Sequence, residues 1–207
     1  MPNFRLEDEV GGIVAGIDEA GRGPWAGPVV AAALVFDRVV LPEDLAEAID
    51  DSKDLTAERR QAVYARLPGC SHFGVGAASA REIDRINILN ATFLAMTRAW
   101  TALLRHGAHP TSVLIDGNRA PNLACPCHAI VGGDRRSLSI AAASIVAKVT
   151  RDRIMARLDR RYPNYGWARN AGYGTRQHQS ALYQVGITRH HRISFKPIYN
   201  LLSKNTL

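Results

Sequence analysis

With 207 residues, 46% of them hydrophobic, the chain can bury one substantial core, and a single domain over 1–207 with a C-terminal helical elaboration from about residue 165 is expected. The longest apolar run, 28–36, is far short of the roughly 20 residues that span a bilayer, and Glu7, Asp8 and Glu9 stand where a signal peptide would be basic and then apolar, so a cytoplasmic protein with no membrane span is expected. The charge of +7 is divided unevenly: residues 1–134 carry 12 basic and 17 acidic side chains, a net −5, whereas 135–207 carry 14 and 2, a net +12. That asymmetry favours a polyanionic partner, and nucleic acid over anionic membrane, because no basic amphipathic stretch or lipidation motif accompanies it.

In chain order, residues 13–17 and 29–36 read as strands separated by a Gly/Pro-rich turn. An acidic stretch from 43 leads into a helix over 57–67, with Thr56 as N-cap and Pro68-Gly69 as its stop. A third strand is expected at 73–78. From 87 to 106, Leu89, Phe93, Met96, Trp100 and Leu103 recur at helical spacing and Gly107 closes the run, which predicts a core-facing helix. Short strands at 112–115 and 129–131 follow, then a long helix over 137–162 with Leu138, Ala142, Ile145 and Val149 as its apolar stripe and Pro163 as its end. This order predicts an α/β fold with a mixed sheet flanked by helices. Cys70, Cys125 and Cys127 are odd in number and lack zinc-site spacing, so they read as reduced thiols, and Cys125-Pro126-Cys127-His128 as a turn.

Asp18-Glu19, Asp116 and Asp134 each lie just past a short apolar run, where a sheet edge opens to solvent and α/β folds bind ligands. Singly, each is an ordinary turn residue. Within about 4 Å of one another, each pair would repel by roughly 4 kcal/mol at an effective dielectric of 20. A hard divalent cation relieves that repulsion, and oxygen-only ligands point to Mg²⁺ or Mn²⁺ rather than zinc. Because Asp18 and Glu19 alternate faces on a regular strand, joint ligation requires the strand to bend there. Carboxylate-held metal beside a basic surface suggests phosphodiester hydrolysis, in which two ions about 3.5 to 4 Å apart activate water and stabilise the leaving oxygen. Gly21-Arg22-Gly23 reads as a tight turn whose amides can meet a ribose 2′-hydroxyl.

The run Ile17-Asp18-Glu19-Ala20-Gly21-Arg22-Gly23-Pro24, followed by Gly27-Pro28-Val29-Val30-Ala31-Ala32, resembles the opening motif of bacterial ribonuclease HII. Matching motifs continue in family order: Asp51-Ser52-Lys53, Asp84 to Asn90 with Ala91-Thr92, Asp116-Gly117-Asn118, Gly133-Asp134, Ala142-Ala143-Ser144-Ile145-Val146-Ala147-Lys148-Val149 with Arg151-Asp152, Tyr162-Pro163, Gly172-Tyr173-Gly174-Thr175 with His178, and His191-Arg192 with Ser194-Phe195. The resemblance implies a ribonuclease H-like five-stranded sheet. It implies cleavage of the RNA strand of RNA-DNA hybrids and nicking of duplex DNA 5′ of embedded ribonucleotides by a two-metal-ion mechanism, leaving 3′-hydroxyl and 5′-phosphate ends. By the same resemblance Asp18, Glu19, Asp116 and Asp134 hold metal, Gly21, Arg22 and Gly23 read the 2′-hydroxyl, Tyr173 packs on the following sugar, and Lys53, Ser144 and Lys148 support phosphate or the active site. A monomer is expected. Asp51, where many relatives have Asn, and Ala171, where many have Lys or Met, depart from the pattern without touching a ligand.

Three other readings remain open at this level. One is a metal nuclease of similar core acting on DNA alone, against which the Gly-Arg-Gly and Gly-Tyr pair argues. Another is a glycosidase using two of the acids, which leaves two acids and the basic third unused. The last is a basic RNA-binding protein indifferent to metal.

Overall fold

Five strands form one mixed sheet in the computed structural model, which describes residues 1–204. They are β1 (Val14–Ala20), β2 (Val29–Phe36), β3 (Ser71–Ala78), β4 (Ser112–Asp116) and β5 (Cys127–Ile130), in the order β3-β2-β1-β4-β5. β1, β2 and β3 are antiparallel neighbours, with Asp18 opposite Ala32 and Ala32 opposite Val75; β4 and β5 run parallel to β1, with Ile17 beside Ile115 and Ile115 beside Ala129. Eight helices accompany the sheet among the described residues: α1 (Arg5–Val10), α2 (Glu43–Ala48), α3 (Ala57–Arg66), α4 (Ala80–Arg105), α5 (Leu138–Arg161), α6 (Trp167–Asn170), α7 (Arg176–Val185) and α8 (Lys196–Lys204). None is long and apolar enough to cross a membrane.

The two-residue alternation of the strands sorts side chains into two cores. Ala15, Ile17, Val113 and Ile115 pack on the α4 side with Ala95, Met96, Ala99 and Leu103. Ala32 and Leu34 pack on the other side with α5 residues Ala142, Ile145 and Val149 and with Leu45 and Val63. Glycines let both long helices approach the sheet backbone to backbone. A Cβ at Gly16 would collide with Ser139 and Ile140 at the start of α5, and one at Gly76 with Ala95 and Ala99 of α4. A third cluster of Ala26, Met155, Tyr165, Trp167, Leu182 and Ile198 fastens the C-terminal helices to α5 and to the turn between β1 and β2.

The expected helix from residue 87 is longer than its periodicity suggests. α4 begins at Ala80, where Ser79 and Glu82 form a reciprocal capping box, and is interrupted at Asn87, whose φ of 64° is non-helical. The Asn87 side chain accepts from Asn90 N at 3.1 Å, so the predicted boundary is the N-cap of the second half. Leu89 lies outside the core that Ala91, Ala95, Met96 and Ala99 line, while close packing of α4 on β3 places small residues opposite Gly74 and Gly76. α5 starts one residue later than expected, with Ser137 as its N-cap. β5 begins at Cys127, so the expected turn ends there and not after His128. The C-terminal part comprises α6, α7 and α8, while 205–207 lie outside the described residues.

Candidate active site

The register Ile17–Ile115 places Asp18 and Asp116 at the same ends of two adjacent parallel strands. Being one residue past side chains that face α4, both carboxylates project to the α5 side. Asp134 arrives from the 3-10 turn Gly133–Arg135 before α5, and Gly133 N donates to Asp116 Oδ1 at 2.8 Å, drawing that turn onto the strand end. One oxygen from each of Asp18, Asp116 and Asp134 lies within 4.8 Å of the others. Burial first, and then the charges of Glu19, Asp116 and Asp134, raise the Asp18 carboxyl well above the ordinary carboxylate range. Burial and the Asp134 charge raise Asp116 as well.

Lys53 partly offsets this repulsion: its Nζ lies 3.1 Å from Asp134 Oδ2 and 3.8 Å from Asp51 Oδ1. Burial works to lower its pKa, yet the hydrogen bond to Asp134 and the charges of Asp134, Asp51 and Asp18 outweigh it and hold the ammonium above its usual value. One cation among three clustered acids leaves net negative charge. The donors are carboxylate oxygens, so the residues fit a hard divalent ion.

Glu19 is not in that trio. The β1–β2 ladder continues regularly through Glu19 opposite Ala31 and Ala20 opposite Val30, so the expected bend is absent and Glu19 leaves the strand on the face opposite Asp18. Its Oε1 receives Arg22 Nη1 at 3.3 Å. Burial raises its carboxyl despite Arg22, and the Asp116 charge still reaches it.

The turn after β1 is shaped by two buried arginines that the sequence reading left without a role there. Arg192 donates to the carbonyls of Gly21 (2.5 Å), Arg22 (2.7 Å) and Gly27 (3.0 Å). Arg151, 1% exposed, donates to Pro28, Ala171 and Ala26 at 3.0, 2.9 and 3.2 Å. Gly21 has φ of 95°, and a Cβ there would strike the Arg151 guanidinium. With its carbonyls turned to Arg192, the turn is fixed in shape. Tyr173 joins it: Gly172 O accepts from Trp25 N (2.9 Å) and Ala26 N (3.3 Å), and a Cβ on Gly23 would meet the Tyr173 ring at 3.4 Å. The ring itself is 52% exposed.

The remaining expected positions are less uniform. Ser144 is buried with an unpartnered Oγ, on the stretch of α5 between its contacts with Gly16 and Gly21. Lys148 does not reach the acids; its Nζ pairs with Asp152 at 2.8 Å, beside Arg60 and Arg153 in a 440 Å³ cleft. Asp51 is buried between Lys53 and Arg135, whose Nε lies 3.2 Å away. Asp84, in the first half of α4 ahead of the helix that the periodicity predicts, accepts from Ile193 N, Ser194 N and Ser194 Oγ at 3.1, 2.9 and 2.6 Å, pinning the segment that carries Arg192. The motif positions themselves were the only sequence signal for Arg151, Arg192 and Asp84.

A mixed sheet with two carboxylates at the ends of neighbouring central strands and a third brought to them by the turn before α5, beside a rigid glycine turn, defines a metal-dependent nuclease with a ribonuclease H-like fold. The family model described as Ribonuclease HII matches residues 15–198. Ribonuclease HII of Paramagnetospirillum magneticum is 58% identical over 198 residues, covering 96% of this chain and 97% of its own length, and that of Rhodospirillum rubrum is 54% identical over 211, covering 100% and 94%. Among solved structures, ribonuclease H2 from Pyrococcus horikoshii superposes with a TM-score of 0.73 at 25% identity, covering 92% of this chain and 97% of that one. Bst-RNase HIII in complex with Mn²⁺ has a TM-score of 0.71 at 19% identity, covering 93% and 70%, a likeness of fold. The chain belongs to the ribonuclease HII family: it is a metal-dependent endoribonuclease that degrades the RNA strand of RNA-DNA hybrids.

Proposed function

We propose that Asp18, Asp116 and Asp134 hold the catalytic divalent metal, with Glu19 completing the acidic set, and that the metal is Mg²⁺ or Mn²⁺. The observation that carries this reading is the convergence of three carboxylate oxygens within 4.8 Å in a site where, among the described residues, Lys53 is the one cation ion-paired with the trio. When bound, the divalent ions supply Lewis acidity and an activated water for phosphodiester hydrolysis. The chain supplies the rest. Gly21, Arg22 and Gly23, in a turn whose Gly21 and Arg22 carbonyls are held by Arg192, offer backbone N–H groups to the ribose 2′-hydroxyl. Tyr173 packs its exposed ring on the following sugar and aligns the scissile phosphate. Lys53 lines the acid side, Ser144 supports the site from within α5, and Lys148 in its cleft meets backbone phosphate farther along the strand. The products are a 3′-hydroxyl and a 5′-phosphate, and a duplex bearing a single ribonucleotide is nicked on its 5′ side.

We read the chain as one catalytic domain acting as a monomer in the cytoplasm, with residues from about 165 onward as its C-terminal elaboration. Calorimetric titration with Mn²⁺, paired with cleavage mapping on a duplex containing one ribonucleotide, tests the central assignment. Wild type should bind Mn²⁺ and nick 5′ of the ribonucleotide, and Asp116→Asn should lose both. Tight Mn²⁺ binding by Asp116→Asn, or nicking of an all-DNA duplex, would overturn it.

A further inference from the structure

Tyr173 is flanked by Gly172 and Gly174, so its backbone needs outside support to hold a ring in place. Locally, Thr175 N donates to the Tyr173 carbonyl at 2.8 Å; from outside, support comes from two buried imidazoles, His178 and His191, whose Nε2 atoms lie 3.0 Å apart. Their neighbours leave one choice of tautomer. Trp167 Nε1 can only donate, and it reaches His178 Nε2 at 3.3 Å; the Tyr173 carbonyl can only accept, and it lies 2.9 Å from His178 Nδ1. His178 therefore carries its proton on Nδ1. Thr188 N can only donate, to His191 Nδ1 at 2.8 Å, so His191 carries its proton on Nε2 and gives it to His178 Nε2. A cationic His178 would set its own Nε2–H against the N–H groups of Trp167 and His191. Burial keeps both rings neutral.

We propose that His178 and His191 are positioning residues for Tyr173, passing hydrogen bonds in one direction from Thr188 through both rings into the Tyr173 carbonyl. With Tyr173 N bonded to Asn170 O at 2.8 Å, both peptide groups of the tyrosine are clamped and the ring is presented beside Gly23. The role rests on the reading of Tyr173 as the residue that packs on the substrate sugar.

Two measurements on the full-length protein test it. Long-range ¹⁵N–¹H correlation of the histidine rings should show Nδ1–H for His178 and Nε2–H for His191; the reverse assignment for His178 overturns the relay. Steady-state kinetics with saturating Mn²⁺ on a duplex bearing one ribonucleotide should show kcat of His178→Ala reduced about 10- to 100-fold with KM little changed. His178→Asn, whose amide can stand where Nδ1 stands, should recover most of that loss. His178→Gln, which reaches only toward Nε2, should not. In a Tyr173→Ala background, His178→Ala should cost nothing further. If Tyr173→Ala is impaired while folded His178→Ala turns over normally, or if Asn and Gln at 178 behave alike, the relay is wrong. If Tyr173→Ala itself retains full turnover, the reading of Tyr173 falls, and the relay with it.

Discussion

Asp116 shows how a single side chain sets both the instability and the use of this site. Its carboxyl is raised by burial and by Asp134, and a carboxyl raised in the folded state contributes stability that is present below its unfolded pKa and lost as pH climbs through the folded value. At neutral pH and without metal, the acids therefore cost stability. Asp116→Asn should raise the metal-free Tm by about 2–4 °C for each kcal/mol of repulsion removed, and Lys53→Met should lower it. Differential scanning calorimetry in chelator checks both signs. A fall in Tm for Asp116→Asn would mean that its bond to Gly133 N outweighs the repulsion. The acids were legible in the sequence because each follows an apolar run, but the division between the trio and Glu19 was not. It depends on whether the β1–β2 ladder continues past Asp18, and nothing local to Asp18-Glu19 fixes that.

The elements were legible wherever one periodicity dominated. α5, the central strands and the Thr56 cap of α3 fall within a residue or two of expectation, except that β1 runs on to Ala20. The first half of α4 escaped notice because its signal is a capping box ahead of a short turn, with no apolar repeat. The net charge of the basic third does not separate cations that face solvent from those that hold backbone. Arg151 and Arg192 belong to the second kind, each bound to three carbonyls. This divides the expected salt behaviour of α5. On duplex, log K should fall by about 0.9 per phosphate neutralised as log salt rises, and Lys148→Ala should lower that slope by about one. Arg151→Ala should leave the slope unchanged while destabilising the protein by about 3 kcal/mol, because three buried or half-buried carbonyls lose their donor. Binding isotherms at several salt concentrations together with urea melts separate the two; a slope change for Arg151→Ala without loss of stability would contradict the buried geometry.

For the whole molecule, the question is whether the C-terminal helices unfold with the sheet. Arg192, from the far end of the chain, holds the turn after β1, and Arg151 bridges α5 to Ala171. The third cluster joins Ala26 to Tyr165, Trp167 and Ile198. A fold knotted this way should melt in one transition, with coincident far-ultraviolet and tryptophan signals, since Trp167 lies in the C-terminal part. The same knot makes stability sensitive to acid. Burial, and then the neighbouring His178, push His191 down to about 4 from an ordinary 6.5. A base depressed in the folded state binds protons more readily once unfolded, so its contribution is complete above about pH 6.5 and drains away as pH falls toward 4. His191 alone should cost about 2 kcal/mol between pH 7.5 and pH 5. The acids shift the opposite way, so the cleanest measure is the stability gap between wild type and His191→Gln, which has no titrating ring. Urea denaturation at half-unit steps should show that gap closing by about 2 kcal/mol over this range. A constant gap would mean that His191 titrates alike in both states and is wetter than its 2% exposure indicates.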